Sequence, residues 1–446
     1  MKLNTKPVSN MRTYEGAPAS HTNAEQQLRR SVMACLLWES QFYEDGVTIA
    51  DRIAALVPQV APSDVAAIAV EARSQMNLRH VPLLLVREMA RHPIHRALVA
   101  DTLPKVIQRA DELSEFMALY WKDGKTPIAK SVKLGLSEAF NKFDEYSLAK
   151  YNRDSKIRLK DVLFMVHPKP KSDEQAALFK KLADDELATP DTWEVSLSAN
   201  DGLSKREKWE RLLREKKLAA LALLRNLRNF KDEGVDEALV LNALSSANVK
   251  RVLPFRFIAA ARHAPQWESQ LEAKMFESIS GKLAGKTALL IDVSGSMDVA
   301  LSEKSDMTRL DAACGVTMIA REMCEHVSVF TFSNELCFLA PRRGFALRDA
   351  IVHSQPHSGT KLGNAVNLLN SRESYDRLIV VTDEQSADSV PGPKGASNSY
   401  IINVASYKNG VGYDQWTKID GWSEAVIKYI AAIEGATVVL NDAVEE

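Results

Sequence analysis

Up to about residue 280, apolar positions recur every three or four residues, the period of a helix with one buried face. In Glu25–Phe42 the stripe is Leu28, Val32, Leu36 and Leu37. Asp64–Met76 follows, with Ser63 placed to cap it. His80–Ala90 opens on Val81-Pro82, and proline suits a first helical turn. Further helices are expected near 94–108, 110–121, 127–140, 158–166, 173–186, 204–215, 217–230, 234–245 and 254–262. Serial helices without strands predict an all-α solenoid of HEAT type over residues 1–280. A compact bundle is the alternative, but so many short helices share one small core poorly.

The pattern changes after Lys286. Thr287–Ile291, Val327–Phe332, Arg377–Thr382, Tyr400–Val404 and Thr437–Leu440 are short, apolar and rich in β-branched residues, as buried strands should be. Helical stretches Arg309–Glu325, Leu362–Leu369 and Ser423–Ile433 lie between them. Strand–helix alternation predicts a second domain over 281–446, an α/β fold with a doubly wound, mostly parallel sheet.

Composition leaves this picture intact and adds an asymmetry. The chain has 446 residues, 46% hydrophobic and 26% charged, which is ordinary for a soluble globular protein. No apolar run nears the roughly 18 residues that span a membrane, and the polar start lacks a signal-peptide pattern. Cys35, Cys314, Cys324 and Cys337 form no C-x-x-C pair and read as reduced thiols in a cytoplasmic protein. From Gly281 onward, 15 basic and 21 acidic residues give −6; the preceding part carries 42 and 37, or +5. The two parts therefore face different partners.

The most specific motif is Asp292-Val-Ser294-Gly-Ser296, directly after the first apolar strand. In an open α/β sheet, ligands bind beyond the carboxyl ends of strands. One carboxylate and two hydroxyls in alternation are hard oxygen donors, suited to Mg²⁺ first, with Ca²⁺ or Mn²⁺ as alternatives. Thr360, in the glycine-containing turn Ser358–Gly363, and Asp383, at the end of the strand Leu378–Val381, complete the set. This order resembles the metal-ion-dependent adhesion site of von Willebrand factor A domains, which leaves a coordination position open for an acidic group of a partner. An enzyme is not expected. Ser294 lacks a G-x-S-x-G elbow, and a D-x-D arrangement is absent. His326, His353 and His357 show no pairing with a serine.

Positive charge concentrates in two helical stretches. Lys122–Lys171 has 12 basic and 6 acidic residues, and Lys205–Lys231 has 10 and 3; Ser172–Ser204 between them is acidic. Tyr146, Tyr151 and Phe164 are interleaved with the first. Clustered cations with aromatic neighbours can hold a phosphate backbone and stack bases. A solvated helix face is the bland alternative, and i,i+4 pairs such as Glu207–Arg211 and Glu210–Arg214 support it for the second stretch.

Taken along the whole chain, several segments resemble the Ro autoantigen family, in which a TROVE module of HEAT-like helices precedes a von Willebrand A domain. They are Trp38–Tyr43, Asp161–Pro170, Leu221–Arg228, Leu253–Phe257, the metal motif and Asp420-Gly421-Trp422. The departures, Gly295 and a Ser-Gly-Thr-Lys turn in place of Gly-Gly-Thr, remove no ligand. The resemblance implies a bacterial or phage member: a non-catalytic RNA-binding ring. Small structured Y-like RNA would bind the outer surface, and single-stranded 3′ ends of misfolded RNA the central hole, in RNA quality control with an exoribonuclease such as polynucleotide phosphorylase. Lys150, Arg153 and His167 match the region that meets Y RNA. Arg158, Lys160 and Lys169 join on charge, and Lys130 and Lys133 are further candidates. The competing reading is a metal-dependent protein-adhesion scaffold with no RNA role.

Overall fold

A computed structural model describes residues 23–34, 46–74, 78–152, 154–190, 192–249, 252, 254–277, 279, 282–301, 307–394, 398–405, 416–420, 426, 430 and 434. Arg153, Cys35, the segment 38–43, residues 421–422, the expected strand 437–440 and most of the expected helix 423–433 lie outside them. The chain divides into two compact units, one formed by 23–38 with 46–199 and the other mainly by 200–446.

The first unit is entirely helical among its described residues. Pro62–Ser74 packs on His80–Arg91 and Arg96–Val106; Arg96–Val106 packs on Lys130–Phe140; His80–Arg91 packs on Asp111–Tyr120. Each of these helices thus meets the one after the next, the pattern of stacked helix pairs. The crossing of Arg96–Val106 and Lys130–Phe140 is tight: a Cβ at Gly135 would lie 2.9 Å from Leu103 Cβ. That explains a glycine in mid-helix, where it costs about 0.5–1 kcal/mol relative to Ala. The core runs through these layers from Leu28 and Ile53 to Phe140 and Leu182. Inside it, Arg73 donates to Glu112 at 2.7 Å and to the Val106 carbonyl at 2.9 Å.

The helix at Asp64 begins two residues earlier, at Pro62, so Ser63 sits within the first turn. The short helices Glu145–Tyr151 and Trp193–Ser198 were not legible. Neither is long enough to show an apolar stripe; Asp144 and Thr192 start them by accepting the amides of Ser147 and Val195.

The second unit contains a six-stranded sheet. Its strands are β1 Leu283–Asp292, β2 Cys324–Phe332, β3 Leu336–Leu339, β4 Arg377–Thr382, β5 Asn398–Asn403 and β6 Thr417–Asp420. Their order is β3-β2-β1-β4-β5-β6, with all neighbours parallel except β2 and β3. The expected α/β fold is present, with two strands more than sequence revealed, β3 and β6. From β1 the chain runs to β2 on one side and to β4 on the other. The crevice at the carboxyl ends of β1 and β4 is therefore the topological switch point, where such sheets take ligands. The almost wholly buried helix Arg309–Met323 supports the sheet.

The helices Lys205–Arg214, Ala220–Asp232, Glu237–Ser246, Pro254–His263 and Glu268–Glu277 belong to this same unit. The change of architecture falls near 283, but the compact unit begins at Asn200. Two polar joints show why. Arg262 donates to both oxygens of Asp311 at 2.7 and 2.8 Å. The Glu272 carboxylate accepts the Phe345 amide at 2.6 Å, at the start of helix Gly344–Val352.

Candidate metal centre and nucleic-acid face

All five predicted metal residues come from three chain pieces at the switch point. Asp292 ends β1, Ser294 and Ser296 sit in the tight turn after it, Thr360 precedes helix Leu362–Arg372, and Asp383 follows β4. Parallel pairing of Ile291 with Val381 puts the ends of β1 and β4 side by side. The Gly295 amide donates to the Ser358 carbonyl at 3.0 Å, which draws the threonine turn onto the serine turn. The Ala387 amide holds the Thr360 carbonyl at 2.8 Å. Ser294 and Ser296 hydroxyls lie 3.2 Å apart.

This is a dry site with excess negative charge. Asp292 is 0% exposed, Asp383 1% and Thr360 3%. The Asp292 carboxylate accepts the Ser294 amide at 2.8 Å and the Thr382 hydroxyl at 2.6 Å. Burial, and next the Asp383 charge, push its carboxyl up to about 7 against those hydrogen bonds. A buried pair of carboxylates with three hydroxyls beside it fits a hard divalent cation, whose charge would remove both penalties. Among the described residues no group of three or more His, Cys, Asp or Glu side chains could hold a metal, so a cation here depends on the hydroxyls.

Several neighbours escaped the sequence reading. Arg309 is buried with a guanidinium nitrogen 3.4 Å from Asp383 and 3.5 Å from the Ser296 carbonyl. Its signal is the capping box Thr308–Asp311, which fixes Arg309 as the first residue of its helix. Glu384 is buried in a left-handed conformation, φ 59°, with its amide on the Thr382 hydroxyl at 3.1 Å. His357 does have a polar partner: its Nδ1 lies 2.8 Å from Asp298 and its Nε2 3.0 Å from the Val352 carbonyl. This links the serine turn to the threonine turn from outside.

The cationic residues spread over one stretch of the first unit. Lys130 and Lys133 are exposed one turn apart on helix Lys130–Phe140. His167 ends helix Leu159–Val166 in the left-handed region, φ 49°, with its ring exposed and its amide on the Leu163 carbonyl at 3.0 Å. Lys169 is exposed two residues on. Phe164 and Tyr146 are 57% and 47% exposed, unusual for large aromatics. Two members are committed internally: Lys160 pairs with Asp185, and Arg158 lies 3.6 Å from Asp161 while opening its helix. Lys150 lies against a cleft that the sequence did not reveal, beside Arg109, Lys142, Tyr146 and Tyr151. The Arg109 backbone is fixed there by Glu112, which accepts the amides of Gln108 and Arg109 at 2.7 and 3.1 Å. In the second unit, burial and the nearby Arg225 hold the Arg256 guanidinium below its ordinary value.

Residues 185–311 match the family model of the TROVE domain. No curated protein matches the chain. Among solved structures, the Ro (RSR) protein of Deinococcus radiodurans is similar over 92% of this chain and 99% of its own, with TM-score 0.63 and 18% identity. That likeness establishes a Ro-type fold. An aerotolerance-related membrane protein of Bacteroides fragilis is 16% identical over 26% of this chain and 66% of its own; its TM-score of 0.20 carries no weight. Among the described residues no helix is long and apolar enough to cross a membrane. The resemblance to the Ro family thus stands on a matched segment and on the fold.

Proposed function

From a TROVE segment set in a Ro-type fold, we propose that this chain is a bacterial Ro-type RNA-binding protein without catalytic activity. The observation that carries the reading is the TROVE match, 185–311, inside a fold shared along nearly the whole chain. The first unit supports it physically: Lys130, Lys133, Lys150 and Lys169 offer cations to a phosphate backbone and His167 an exposed ring, and Tyr146 and Phe164 are exposed too. Arg158 is a further candidate, Arg153 is one on the family resemblance alone, and Lys160 contributes least because Asp185 neutralises it. A face of this kind holds structured RNA by backbone and shape, since A-form grooves hide the bases.

In this reading the RNA on that face is small, structured and Y-like. Single-stranded 3′ ends of misfolded RNA enter a central hole, and the protein serves cytoplasmic RNA quality control beside an exoribonuclease such as polynucleotide phosphorylase. The switch-point residues Asp292, Ser294, Ser296, Thr360 and Asp383 hold one divalent cation, Mg²⁺ first. When bound, that ion offers a coordination position to an acidic group of a protein partner. The chain's own residues set its neighbourhood: Thr382 and the Ser294 amide orient Asp292, and Arg309 steadies Asp383.

Purification from the host tests this. The protein should carry a discrete small RNA, released by salt and absent from the triple variant Lys150→Gln, Arg153→Gln, His167→Ala. Each phosphate contact removed should lower the slope of log affinity against log salt by roughly 1. Protein free of RNA that also fails to bind structured or single-stranded-ended RNA at low salt would overturn the reading. The adhesion scaffold would then stand on the metal centre alone.

A further inference from the structure

The cleft beside Lys150 has a chemistry of its own. Its volume is about 370 Å³, within the roughly 300–1,000 Å³ of small-ligand sites. Arg109, Lys142 and Lys150 line it together with Tyr146, Tyr151 and the buried Phe143, and no lining residue is acidic. The nearest carboxylates are engaged elsewhere. Asp144 accepts the Ser147 amide at 2.7 Å, and Glu145 pairs with Lys181 at 2.9 Å. Asp111 accepts from Arg109 at 2.8 Å and from Arg79 at 2.7 Å, and Arg79 has a further partner in Glu115 at 2.5 Å. Lys142 donates to the carbonyls of Pro104 and Ile107, both at 2.6 Å, which fixes its position. Lys150 is in salt-bridge range of no described carboxylate; its ammonium lies 5.6 and 5.7 Å from the Tyr146 and Tyr151 ring centres. Arg109 stacks over Tyr151 at 4.6 Å. Neither tyrosine hydroxyl bonds to a described residue, and the Tyr146 ring stands half exposed at the rim.

A ligand that suits this cleft has a flat ring and an anionic group close to it. We propose that the cleft is a subsite for one nucleotide, its base stacked on Tyr146 and its phosphate held by Lys150 and Arg109. The nucleotide is either an unpaired residue of a bound RNA, a form that rests on the proposed RNA binding, or a free nucleoside monophosphate, a form that stands on the cleft alone.

Equilibrium dialysis of the full chain with radiolabelled AMP tests it. AMP should bind, with adenosine at least about tenfold weaker for want of the phosphate. Tyr146→Ala should weaken AMP about tenfold, the order expected for one base–aromatic stack, while Tyr146→Phe should hold wild-type affinity. Lys150→Gln should reduce the advantage of AMP over adenosine severalfold, and far-ultraviolet circular dichroism confirms that each variant is folded. No AMP bound at millimolar concentration, or affinity unchanged in both Tyr146→Ala and Lys150→Gln, would overturn the subsite. Where AMP binds, an oligoadenylate that displaces it at much lower concentration assigns the site to RNA; one that leaves it bound assigns it to the free nucleotide. Co-purified RNA without AMP binding sinks the subsite and spares the proposed function. AMP binding in a protein that takes no RNA does the reverse.

Discussion

At the carboxyl ends of β1 and β4, two carboxylates are held in a dry interior; in the first unit, Lys130, Lys133 and Lys169 stand in water. Charges out of water cost several kcal/mol each unless they are matched. The position of Asp292 is therefore fixed by hydrogen bonds from Thr382 and Ser294, and a bound cation is worth a great deal there. Exposed cations pay no such cost, and each is worth about 0–1 kcal/mol in a surface pair. Their effect is collective and shrinks with salt. One site is thus all-or-none in a single residue, and the other is graded over many.

The largest effect should come from Asp292→Ala. Metal binding measured by calorimetry should vanish, while RNA affinity stays within about twofold, because affinity there comes from phosphate contacts elsewhere. A tenfold or greater loss of RNA affinity in a folded variant would show that the two sites are coupled.

Next in size is the response to pH. The Asp292 carboxyl, raised to about 7 in the fold from roughly 3.9 in the unfolded chain, holds its proton more tightly when folded. Its contribution to stability without metal is fully present below about pH 4 and is lost as pH rises through about 7. In the proposed site Mg²⁺ would bind the deprotonated form, so the rise in Tm on adding Mg²⁺ should be larger at pH 8 than at pH 6. An equal rise at both would mean that Asp292 is not where the ion sits.

The smallest effect separates stability from function within the cationic face. His167 holds a left-handed conformation that costs a non-glycine residue roughly 1–2 kcal/mol. His167→Gly should raise stability by up to about 1 kcal/mol and lower RNA affinity severalfold. Denaturant titration and an RNA shift assay read the two; higher stability with unchanged affinity would remove His167 from the face.

The convergence of the five proposed metal residues was legible because each is tied to a short, strongly patterned piece: a strand end, a glycine turn, a second strand end. Parallel pairing then brings the pieces together with little freedom. Arg309 was not legible, since its approach to Asp383 spans 74 residues of sequence. The strand β3 is four residues at the sheet edge, with only Leu339 buried, too short and too exposed to show alternation. Helix Glu268–Glu277 buries only Leu271 and Met275, a stripe too thin to stand out. The cleft at Lys150 brings residues 108–110 beside 142–151, a meeting of distant segments that no local pattern encodes. Composition also does not mark Asn200, because helices lie on both sides of it.

Gly344 has φ 54°, and a Cβ there would collide with the Glu272 carboxylate that takes the Phe345 amide. Arg262, on a helix before the sheet, grips Asp311 in the opening turn of the helix that carries Arg309. A recombination event that moved the chain after codon 280 into another gene would carry every proposed metal residue with it. It would leave behind both Glu272 and Arg262, the clasps on two helices around the sheet. A breakpoint before codon 200 would carry ligands and clasps together, so heredity has reason to treat 200–446 as one piece.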